Sequence, residues 1–425
     1  MPANHIRSYY AATANPAPDR APLAGDIEAD VCVIGGGMAG CSTALHLAER
    51  GYRVALVEAN RIGWGASGRS GGQALSGFAS GQEKLVKQVG LDAARQMWNL
   101  SVEALDVLRD LVERYAIDCD LQSGTMLTAI KPRQRAALLE ELEEARTVYG
   151  YEHLELLERP RVEALLATTR YCAALLDRRS AHLHPLNYTL GLASAAHARG
   201  VAMYESTRVL DVRAGDPAVV VTEHGNVRAK FVALCCNAYI GTLSPRLRAR
   251  IMPVGTYIVA TEPLGEARIE TLIRKNFAVS DINFVLDYFR RSADHRLLFG
   301  GRVSYSGLND FATERATRRR MLHVFPQLAD VRTEYAWGGY VDITMSRAPD
   351  FGRLAPNVYY LQGFSGHGIA LSTIAGKLVA EAVAGQAERF DLFTRLAHRD
   401  FPGGPLLRTP TLVLAMMWYR LKDLM

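Results

Sequence analysis

Short apolar runs and an amphipathic segment alternate at the start of the chain. Residues 30–34 and 54–58 are almost continuously apolar, which is typical of strands buried on both faces of a parallel sheet. Between them, residues 38–50 carry apolar side chains at helical spacing and are followed by Gly51, a common helix stop. The pattern predicts a strand–helix–strand unit at the head of the chain.

Further along, two long segments have the spacing of amphipathic helices, residues 92–115 and 133–149. The second contains an acidic cluster, which we interpret as a solvent-exposed face: Glu140, Glu141, Glu143 and Glu144. A third helix is expected over 190–200, and strand-like segments follow it at 201–204, 209–212, 219–222 and 231–235.

The last two-fifths of the chain change character. Residues 251–304 alternate apolar and polar positions, which favours an antiparallel sheet. Residues 359–362 then predict a strand, and the glycine-rich turn at 363–368 leads into a helix over 369–384.

The composition is that of an ordinary folded protein. Hydrophobic residues make up 49% and charged residues 22% of 425, which excludes a mainly disordered or collagen-like chain. A net charge of +5 is too dilute to favour nucleic acid as a partner. The six cysteines show neither a CxxC pair nor a metal-like spacing with histidine, so we expect no metal. The adjacent Cys235 and Cys236 suit buried thiols, and we expect a cytoplasmic location.

The two ends of the sequence bear on membrane contact. The first residues lack the basic-then-apolar order of a signal peptide, and no apolar run reaches about 18 residues. Residues 411–422 are apolar, then aromatic, then basic, which would suit a membrane surface. We favour instead a tail helix packed on the protein or on a second subunit. The sequence does not fix the oligomeric state.

The glycines after the first strand carry the strongest chemical signal. In the GGGMAG motif at 35–40, Gly35 would make the tight turn, Gly37 would let a diphosphate approach the backbone, and Gly40 would let helix and strand pack closely. The helix N-terminus would present N–H groups to the phosphates. Glu58 ends the second strand, where an acid accepts a ribose hydroxyl. We therefore predict dinucleotide contacts from Gly35, Gly37, Met38, Ala39, Gly40 and Glu58.

A second glycine-rich segment, residues 61–73, favours FAD over NAD. So many small residues imply a backbone packed against something flat or charged, and a flavin ring with its ribityl chain is the natural candidate at this place. The predicted contacts are Ala66, Ser67, Gly68, Arg69, Ser70, Gly71, Gly72 and Gln73.

A third glycine-rich turn precedes the last predicted helix. The N–H groups of that helix would face the flavin edge where negative charge gathers on reduction, which would raise the oxidising power of the cofactor. The predicted contacts are Gly363, Phe364, Ser365, Gly366, His367 and Gly368. His367 is also a candidate catalytic residue.

These motifs resemble those of the D-amino-acid oxidase/sarcosine oxidase family of flavoenzymes. The resemblance runs nearly end to end, through SYYAA at 8–12, GASGRSGGQ at 65–73, AHLHPLN at 181–187, ATEPL at 260–264, LDYFR at 286–290, RLLFGGR at 296–302 and FPGG at 401–404. It implies that Val209 contacts the adenine and that Asn237 follows the strand that closes the FAD site.

The resemblance and the predicted elements together imply an α/β fold. It comprises a Rossmann-like FAD-binding domain and a second, α+β substrate domain built on an antiparallel sheet. The FAD-binding domain is expected to be discontinuous, over 26–85, 158–242 and 336–390. The substrate domain is expected over 86–157 and 243–335, with 391–425 as a C-terminal tail.

Two departures from the sarcosine oxidase branch bear on the chemistry. Gly339 stands where we place the cysteine that attaches the flavin there, so we expect non-covalent FAD. Ala370 stands where that branch uses a lysine to hold a substrate carboxylate. The departure favours an amine whose carboxylate is remote from the oxidised carbon, as in gamma-glutamylputrescine.

The resemblance implies oxidation of a primary amine to an aldehyde, with release of ammonia and hydrogen peroxide. We expect carboxylate and aromatic faces to bind the cationic amine, and the candidates are Tyr257, Asp287, Tyr288, Trp337 and Tyr340. His184 is a second candidate for a polar catalytic role.

Two other functions remain open. A dehydrogenase that passes electrons from an amine or amino acid to a quinone or another carrier would use the same motifs. A non-catalytic flavin-binding protein would also keep them. The sequence contains neither the second GxGxxG and CxxxxC of a disulfide reductase nor the GDA-type turn of an aromatic hydroxylase, so the electrons are expected to leave to oxygen or another acceptor.

Overall fold

The computed structural model describes residues 4–283, 285–304 and 310–403. Its strands are β1 (Ile27–Ile34), β2 (Val54–Val57), β3 (Gln73–Ala74), β4 (Gln122–Ala129), β5 (Leu154–Glu158), β6 (Ala173–His182), β7 (Ala202–Tyr204), β8 (Val209–Arg213), β9 (Ala218–Thr222), β10 (Asn226–Leu234), β11 (Ile251–Thr261), β12 (Ala278–Asp281), β13 (Tyr288–Arg291), β14 (Leu297–Ser304), β15 (Thr333–Thr344), β16 (Asp350–Ala355) and β17 (Val358–Gln362). Its α-helices are α1 (Tyr9–Ala12), α2 (Met38–Glu49), α3 (Gln82–Val89), α4 (Leu91–Arg114), α5 (Pro132–Tyr149), α6 (Arg159–Leu165), α7 (Pro185–Ala198), α8 (Pro245–Arg250), α9 (Glu266–Leu272), α10 (Asp310–Val324), α11 (Gly368–Val383) and α12 (Glu388–Thr394).

The first sheet has the Rossmann-like arrangement that the sequence predicts. Its strand order is β16-β17-β10-β1-β2-β7, and β9 and β8 extend it beside β10. The pairs from β17 to β7 are parallel, with Val31 opposite Val54 on one side and Phe231 on the other. Both faces of β1 are covered, which explains its apolar sequence.

Helices α2 and α11 lie together in the core beside this sheet. At Gly376 of α11, an added Cβ would lie 2.4 Å from the backbone nitrogen of Thr43 in α2. Ser42 Oγ donates to the Thr373 carbonyl across the same contact, at 2.6 Å. The close approach fixes the positions of both helix N-termini at the carboxyl edge of the sheet.

The second sheet is built largely from antiparallel pairs, in the order β15-β11-β14-β13-β12-β4-β6-β3 with β5 beside β6. The parallel exception is β12 against β4. One face of the sheet packs against α10 through an aromatic core that contains Phe289, Phe299 and Phe325. The α/β fold with a second, antiparallel α+β unit is therefore confirmed.

The sheets divide the chain differently from the predicted domain limits at several strands. β3 and β6 lie within the ranges predicted for the FAD-binding domain, but both pair in the second sheet. β15 begins at Thr333 and crosses the predicted limit at 335/336. The reason is that strand partners are distant in sequence, so composition alone does not show where the chain passes from one sheet to the other.

The end of the chain bears on the predicted membrane tail. Among the described residues, no single helix combines the length and apolar composition needed to cross a bilayer; α11 and α12 meet both criteria only as a pair bent by 117°. The apolar segment 411–422 lies outside the described residues.

Candidate cofactor and active site

A cavity of about 870 Å³ is lined by both sheets and by the N-termini of two helices. From the first unit come the starts of α2 and α11, and from the second come residues of β4, β12 and β15. Of the predicted cofactor residues, those that line it are Gly37, Met38, Ala39, Ala66, Ser67, Ser70, Gly71, Gly72, Gln73, Asn237, Phe364, Ser365, Gly366, His367 and Gly368.

The first glycine turn joins β1 to α2, and the start of the helix packs directly against the end of the strand. Gly35 has φ +107°, a left-handed conformation that favours glycine. An added Cβ on Gly40 would lie 1.8 Å from the Gly35 carbonyl oxygen. Helix α2 therefore begins directly at the end of the strand, and its first turn lines the cavity at Gly37, Met38 and Ala39, with the Met38 N–H engaged by Ser67 Oγ.

Glu58 follows β2 and lies beside this turn. Its Oε2 accepts from the Gly36 N–H at 2.6 Å, and its Oε1 accepts from the Asn60 N–H at 2.8 Å. Burial raises the pKa of Glu58, although both backbone bonds oppose that shift. Each oxygen retains a second lone pair, so these bonds are compatible with the predicted ribose contact.

Residues 61–73 pack tightly against the first turn and the second sheet. Ser67 Oγ accepts from the Met38 N–H at 2.9 Å. Added Cβ atoms would lie 2.7 Å from the Tyr288 ring at Gly71 and 2.3 Å from the Leu183 carbonyl at Gly72. The absence of side chains at these glycines brings the backbone to the cavity surface.

Contacts of Arg69 and Gly68 hold the loop at residues 61–73 in place. The Arg69 Nε donates to the Trp64 carbonyl at 2.7 Å, and its guanidinium lies 4.2 Å from the centre of the Trp64 ring. Trp337 Nε1 donates to the Arg69 carbonyl at 3.0 Å. An added Cβ on Gly68 would lie 2.2 Å from the Gly63 carbonyl.

The turn before α11 is held by Asp342, which sequence reasoning missed. Its carboxylate accepts from the Gly363 N–H, and its carbonyl accepts from the Ser365 N–H at 3.0 Å. Burial raises the pKa of Asp342 to about 7. Ser365 and Gly366 have positive φ angles of 52° and 99°. Asp342 precedes Gly363 by 21 residues, so no local sequence pattern indicates this pairing.

His367 precedes α11 at its N-cap position and lines the cavity. Loss of hydration lowers the pKa of His367 to about 4, so its imidazole is neutral near neutral pH. The neutral ring adds no positive charge to the charge of Arg347 and to the positive end of the α11 dipole.

Val209 begins the edge strand β8 of the first sheet, and Asn237 follows its interior strand β10. Val209 is buried at the start of β8, opposite Thr222. Asn237 follows β10, has a φ of 49° and lines the cavity. Its side chain also reaches Asp342, which ties it to the turn before α11.

Polar atoms at the cavity provide a test of whether a flavin dinucleotide fits. No described residue offers a hydrogen-bond partner to three buried atoms: Ser70 Oγ, Asn237 Oδ1 and His367 Nδ1. Buried polar groups are normally paired. These unpaired groups lie in the same cavity as two helix N-termini and the exposed backbone at Gly71 and Gly72. The combination fits a ligand that has a diphosphate and a ring with hydrogen-bonding atoms.

Of the predicted substrate residues, Tyr288 lies in the cavity wall. Asp287 is buried and pairs with Arg320, Oδ1 to Nε at 2.6 Å. Trp337 is buried against Arg69, and Tyr340 is 45% exposed. Side chains alternate faces along a strand, so these two members of β15 point to opposite sides.

Tyr257 and His184 are held in contacts with other groups of the protein. The Tyr257 ring lies 2.9 Å from the Cβ that Gly338 would carry. His184 caps α7: its Nδ1 accepts from the Asn187 N–H and its Nε2 bonds to Thr13 Oγ1, both at 3.1 Å. Because both ring nitrogens are engaged, these contacts favour a structural role for His184 over the predicted catalytic one.

The cavity also includes residues that sequence reasoning missed. They continue the glycine- and serine-rich run beyond Gln73, or come from β4, β12 and α5: Leu75, Ser76, Gly77, Phe78, Ala79, Ser80, Gly81, Thr125, Met126, Leu127, Glu140, Glu141, Glu144, Ser280 and Asp281. The glycine and serine content of residues 75–81 could have predicted their contact with the cofactor cavity. The lining residues from β4, β12 and α5 come together only through tertiary packing.

Comparisons with known proteins agree with this geometry. The sequence model of the DAO family, "FAD dependent oxidoreductase", matches residues 30–382. The chain is 44% identical to "Gamma-glutamylputrescine oxidoreductase" of Escherichia coli K12, covering 99% of this chain and 98% of that protein. It is 40% identical to "Probable oxidoreductase OrdL" of Haemophilus influenzae, covering 99% and 97%.

Solved structures show the same fold at lower identity. Glycine oxidase from Geobacillus kaustophilus has a TM-score of 0.71 at 22% identity, with 84% of this chain and 95% of that chain covered. L-amino acid deaminase from Proteus vulgaris has a TM-score of 0.73 at 19% identity, with 90% and 96% covered. The family resemblance predicted from the motifs is confirmed.

Proposed function

The chain belongs to the DAO family of FAD-dependent oxidoreductases, and from that premise we propose that it oxidises a primary amine. The proposed substrate is gamma-glutamylputrescine or a related gamma-glutamylated polyamine. The proposed products are the corresponding aldehyde, ammonia and hydrogen peroxide. The observation that carries the proposal is the 44% identity to the E. coli gamma-glutamylputrescine oxidoreductase along almost the full length of both chains.

The cofactor would be held without a covalent bond, by backbone more than by side chains. The first-turn N–H groups of α2 would bind the diphosphate, the loop at 66–73 would contact the flavin, and the start of α11 would face its pyrimidine rim. When bound, FAD would supply the two-electron oxidising chemistry: the amine would lose a hydride from its carbon and a proton from its nitrogen, water would hydrolyse the resulting imine to aldehyde and ammonia, and oxygen would take up the two electrons and two protons as hydrogen peroxide.

The chain's own residues would position the amine and exclude water. Burial raises the pKa of Tyr288, so its hydroxyl stays protonated and can donate a hydrogen bond. Asp342 holds the turn at Gly363 in place, and His367 contributes no positive charge near neutral pH. Since the amine must be neutral to react, a site that disfavours the cation near the flavin would lower the pKa of the substrate.

The experiment is a product balance with purified protein and gamma-glutamylputrescine in air. We expect equal amounts of oxygen consumed and of aldehyde, ammonia and peroxide formed. Acid precipitation should release all of the FAD into solution if attachment is non-covalent. Reduction of an added quinone without peroxide would overturn the oxidase proposal in favour of a dehydrogenase. Cytoplasmic location stays a prediction.

A further inference from the structure

The LDYFR segment at 286–290 places a buried arginine beside the cofactor cavity. Arg290 lies on β13 and is only 2% exposed. Tyr288 stands two positions earlier on the same strand, so the two side chains point to the same face of the second sheet. The Tyr288 ring lies next to Gly71, and Arg290 donates a hydrogen bond to that glycine. This face of β13 therefore lies against the loop that lines the cavity.

The guanidinium of Arg290 makes four hydrogen bonds, all of them to uncharged acceptors. Its Nε donates to the Gly71 carbonyl at 3.0 Å, and its Nη2 donates to the Leu183 carbonyl at 2.9 Å. Nη2 also donates to the Tyr10 hydroxyl at 3.2 Å, and Nη1 donates to the Arg291 carbonyl at 3.0 Å. Burial raises the pKa of Tyr10, so its hydroxyl carries no charge that could offset the cation.

No acid is paired with this buried charge. None of the ion pairs formed between described residues includes Arg290, whereas the adjacent Arg291 pairs with Glu270 at 3.6 Å. A buried cation without a carboxylate is costly, because hydrogen bonds alone do not replace its hydration. Its positive field is therefore available to a negative group that binds nearby.

The titratable groups around Arg290 confirm that its charge is felt and not neutralised. Burial lowers the pKa values of His182 and His184 to about 3, and the charge of Arg290 adds to both shifts. Burial raises the pKa of Asp120, and the charge of Arg290 opposes that shift without an ion pair between the two. Both histidines are therefore neutral near neutral pH.

The bond from Arg290 to Gly71 fixes the direction of the next peptide group. The peptide between Gly71 and Gly72 is trans, so its C=O and its N–H point to opposite sides. Because the C=O points to Arg290, the Gly72 N–H points away from it. The Gly72 carbonyl is also engaged, since it accepts from the Leu183 N–H at 2.8 Å. Both carbonyls of the glycine pair are thus held by the protein.

The Gly72 N–H gives an independent sign of a ligand. Gly72 is buried and lines the cavity, and no described residue accepts a hydrogen bond from its N–H. Buried backbone N–H groups normally have an acceptor. An acceptor atom on a ligand in the cavity would satisfy this donor.

We propose that Arg290 is a positioning residue for the flavin. It holds the peptide between Gly71 and Gly72 with its N–H directed at the flavin ring, and its buried positive charge favours the reduced flavin, which carries additional negative charge. The inference rests on the proposed function through the cofactor, because it assumes that FAD occupies this cavity. It does not depend on which amine is oxidised.

Two equilibrium measurements test the two parts of this role. Quenching of flavin fluorescence gives the Kd of FAD for the deflavinated protein. Reduction by xanthine and xanthine oxidase in the presence of a reference dye gives the two-electron reduction potential of the bound flavin. For Arg290→Met we expect the Kd to rise at least about tenfold. We also expect the equilibrium between oxidised and reduced flavin to shift at least about tenfold toward the oxidised form, which lowers the potential by about 30 mV.

Arg290→Lys separates the charge from the geometry. The ammonium keeps the charge, but it lacks the planar fork that donates to Gly71 and Leu183 together. We expect a redox equilibrium within about threefold of the wild type and a Kd for FAD that is still raised more than about fivefold. Arg290→Gln is a second neutral variant, in case the methionine variant does not fold, and should lower the potential as Arg290→Met does.

Arg291→Met is the matched control. It removes a positive charge one position along β13, on the opposite face of the strand, where Arg291 pairs with Glu270 and does not line the cavity. Both the Kd and the potential should equal those of the wild type. Arg290 variants that lose thermal stability but keep both wild-type values would overturn the proposal. A potential in Arg290→Lys as low as in the neutral variants would overturn the role of the charge.

Failure of the proposed activity is a separate result. Gamma-glutamylputrescine that leaves the wild-type flavin oxidised would overturn the proposed substrate. The Kd and the reduction potential are measured without any amine, so they would still decide the role of Arg290.

Discussion

Gly40 shows how a single hydrogen atom in place of a side chain determines cofactor binding. The Cβ of any other residue would lie 1.8 Å from the Gly35 carbonyl, inside the turn that brings α2 to the end of β1. Backbone at both sides of the contact leaves no flexible side chain to move away. The glycine is required by close approach, as the sequence motif predicts.

For Gly40→Ala we expect FAD affinity to fall by more than about tenfold. The turn would have to open, and its N–H groups would then no longer point toward the diphosphate. Flavin fluorescence quenching on titration with FAD measures this. Gly215→Ala is the control, since the nearest atom to its Cβ is 3.3 Å away in a surface turn. Wild-type affinity in Gly40→Ala would contradict the assignment of this turn.

The buried histidines allow a prediction about pH. Loss of hydration lowers the pKa of His184 to about 3 and that of His367 to about 4. Because both values lie below that of an unfolded histidine, their contribution to stability is complete above about pH 6.5 and is lost as the pH falls toward 4. Histidine-labelled NMR spectra should show both rings neutral from about pH 6 to 9. A ring at position 367 that titrates near 6.5 would contradict this.

At the scale of elements, the sequence pattern predicts local structure, whereas the pairing of strands distant in sequence is not visible in it. β1, α2 and β2 follow from an apolar period and a glycine motif within 30 residues. The placement of β6 in the second sheet depends on partners such as β4, nearly 50 residues away.

The contact between α11 and α2 is the element that positions both helix starts. For Gly376→Ala we expect a loss of about 1–3 kcal/mol in the free energy of unfolding, because the new Cβ would lie 2.4 Å from the Thr43 nitrogen. Urea unfolding followed by circular dichroism gives the value. We also expect weaker FAD binding, since the helix starts move apart. A variant as stable as Gly215→Ala would contradict this packing.

At the scale of the molecule, the cofactor site is shared between both sheets, so binding and folding should be linked. FAD at about 100 times its Kd should stabilise the protein by about 2.7 kcal/mol, which for a chain of this size is about 3 °C in Tm. Differential scanning calorimetry of deflavinated protein with and without FAD measures the shift. Riboflavin, which lacks the diphosphate and adenosine, should shift Tm less. Equal shifts would contradict the role assigned to the first glycine turn.

In the proposed function, two helix N-termini and a glycine-rich loop hold FAD where a primary amine can reduce it. Anaerobic stopped-flow mixing of the purified flavoprotein with gamma-glutamylputrescine tests it most directly. We expect the visible flavin band to bleach completely and to return when oxygen is admitted. A band that stays unchanged with this amine at saturating concentration would contradict it.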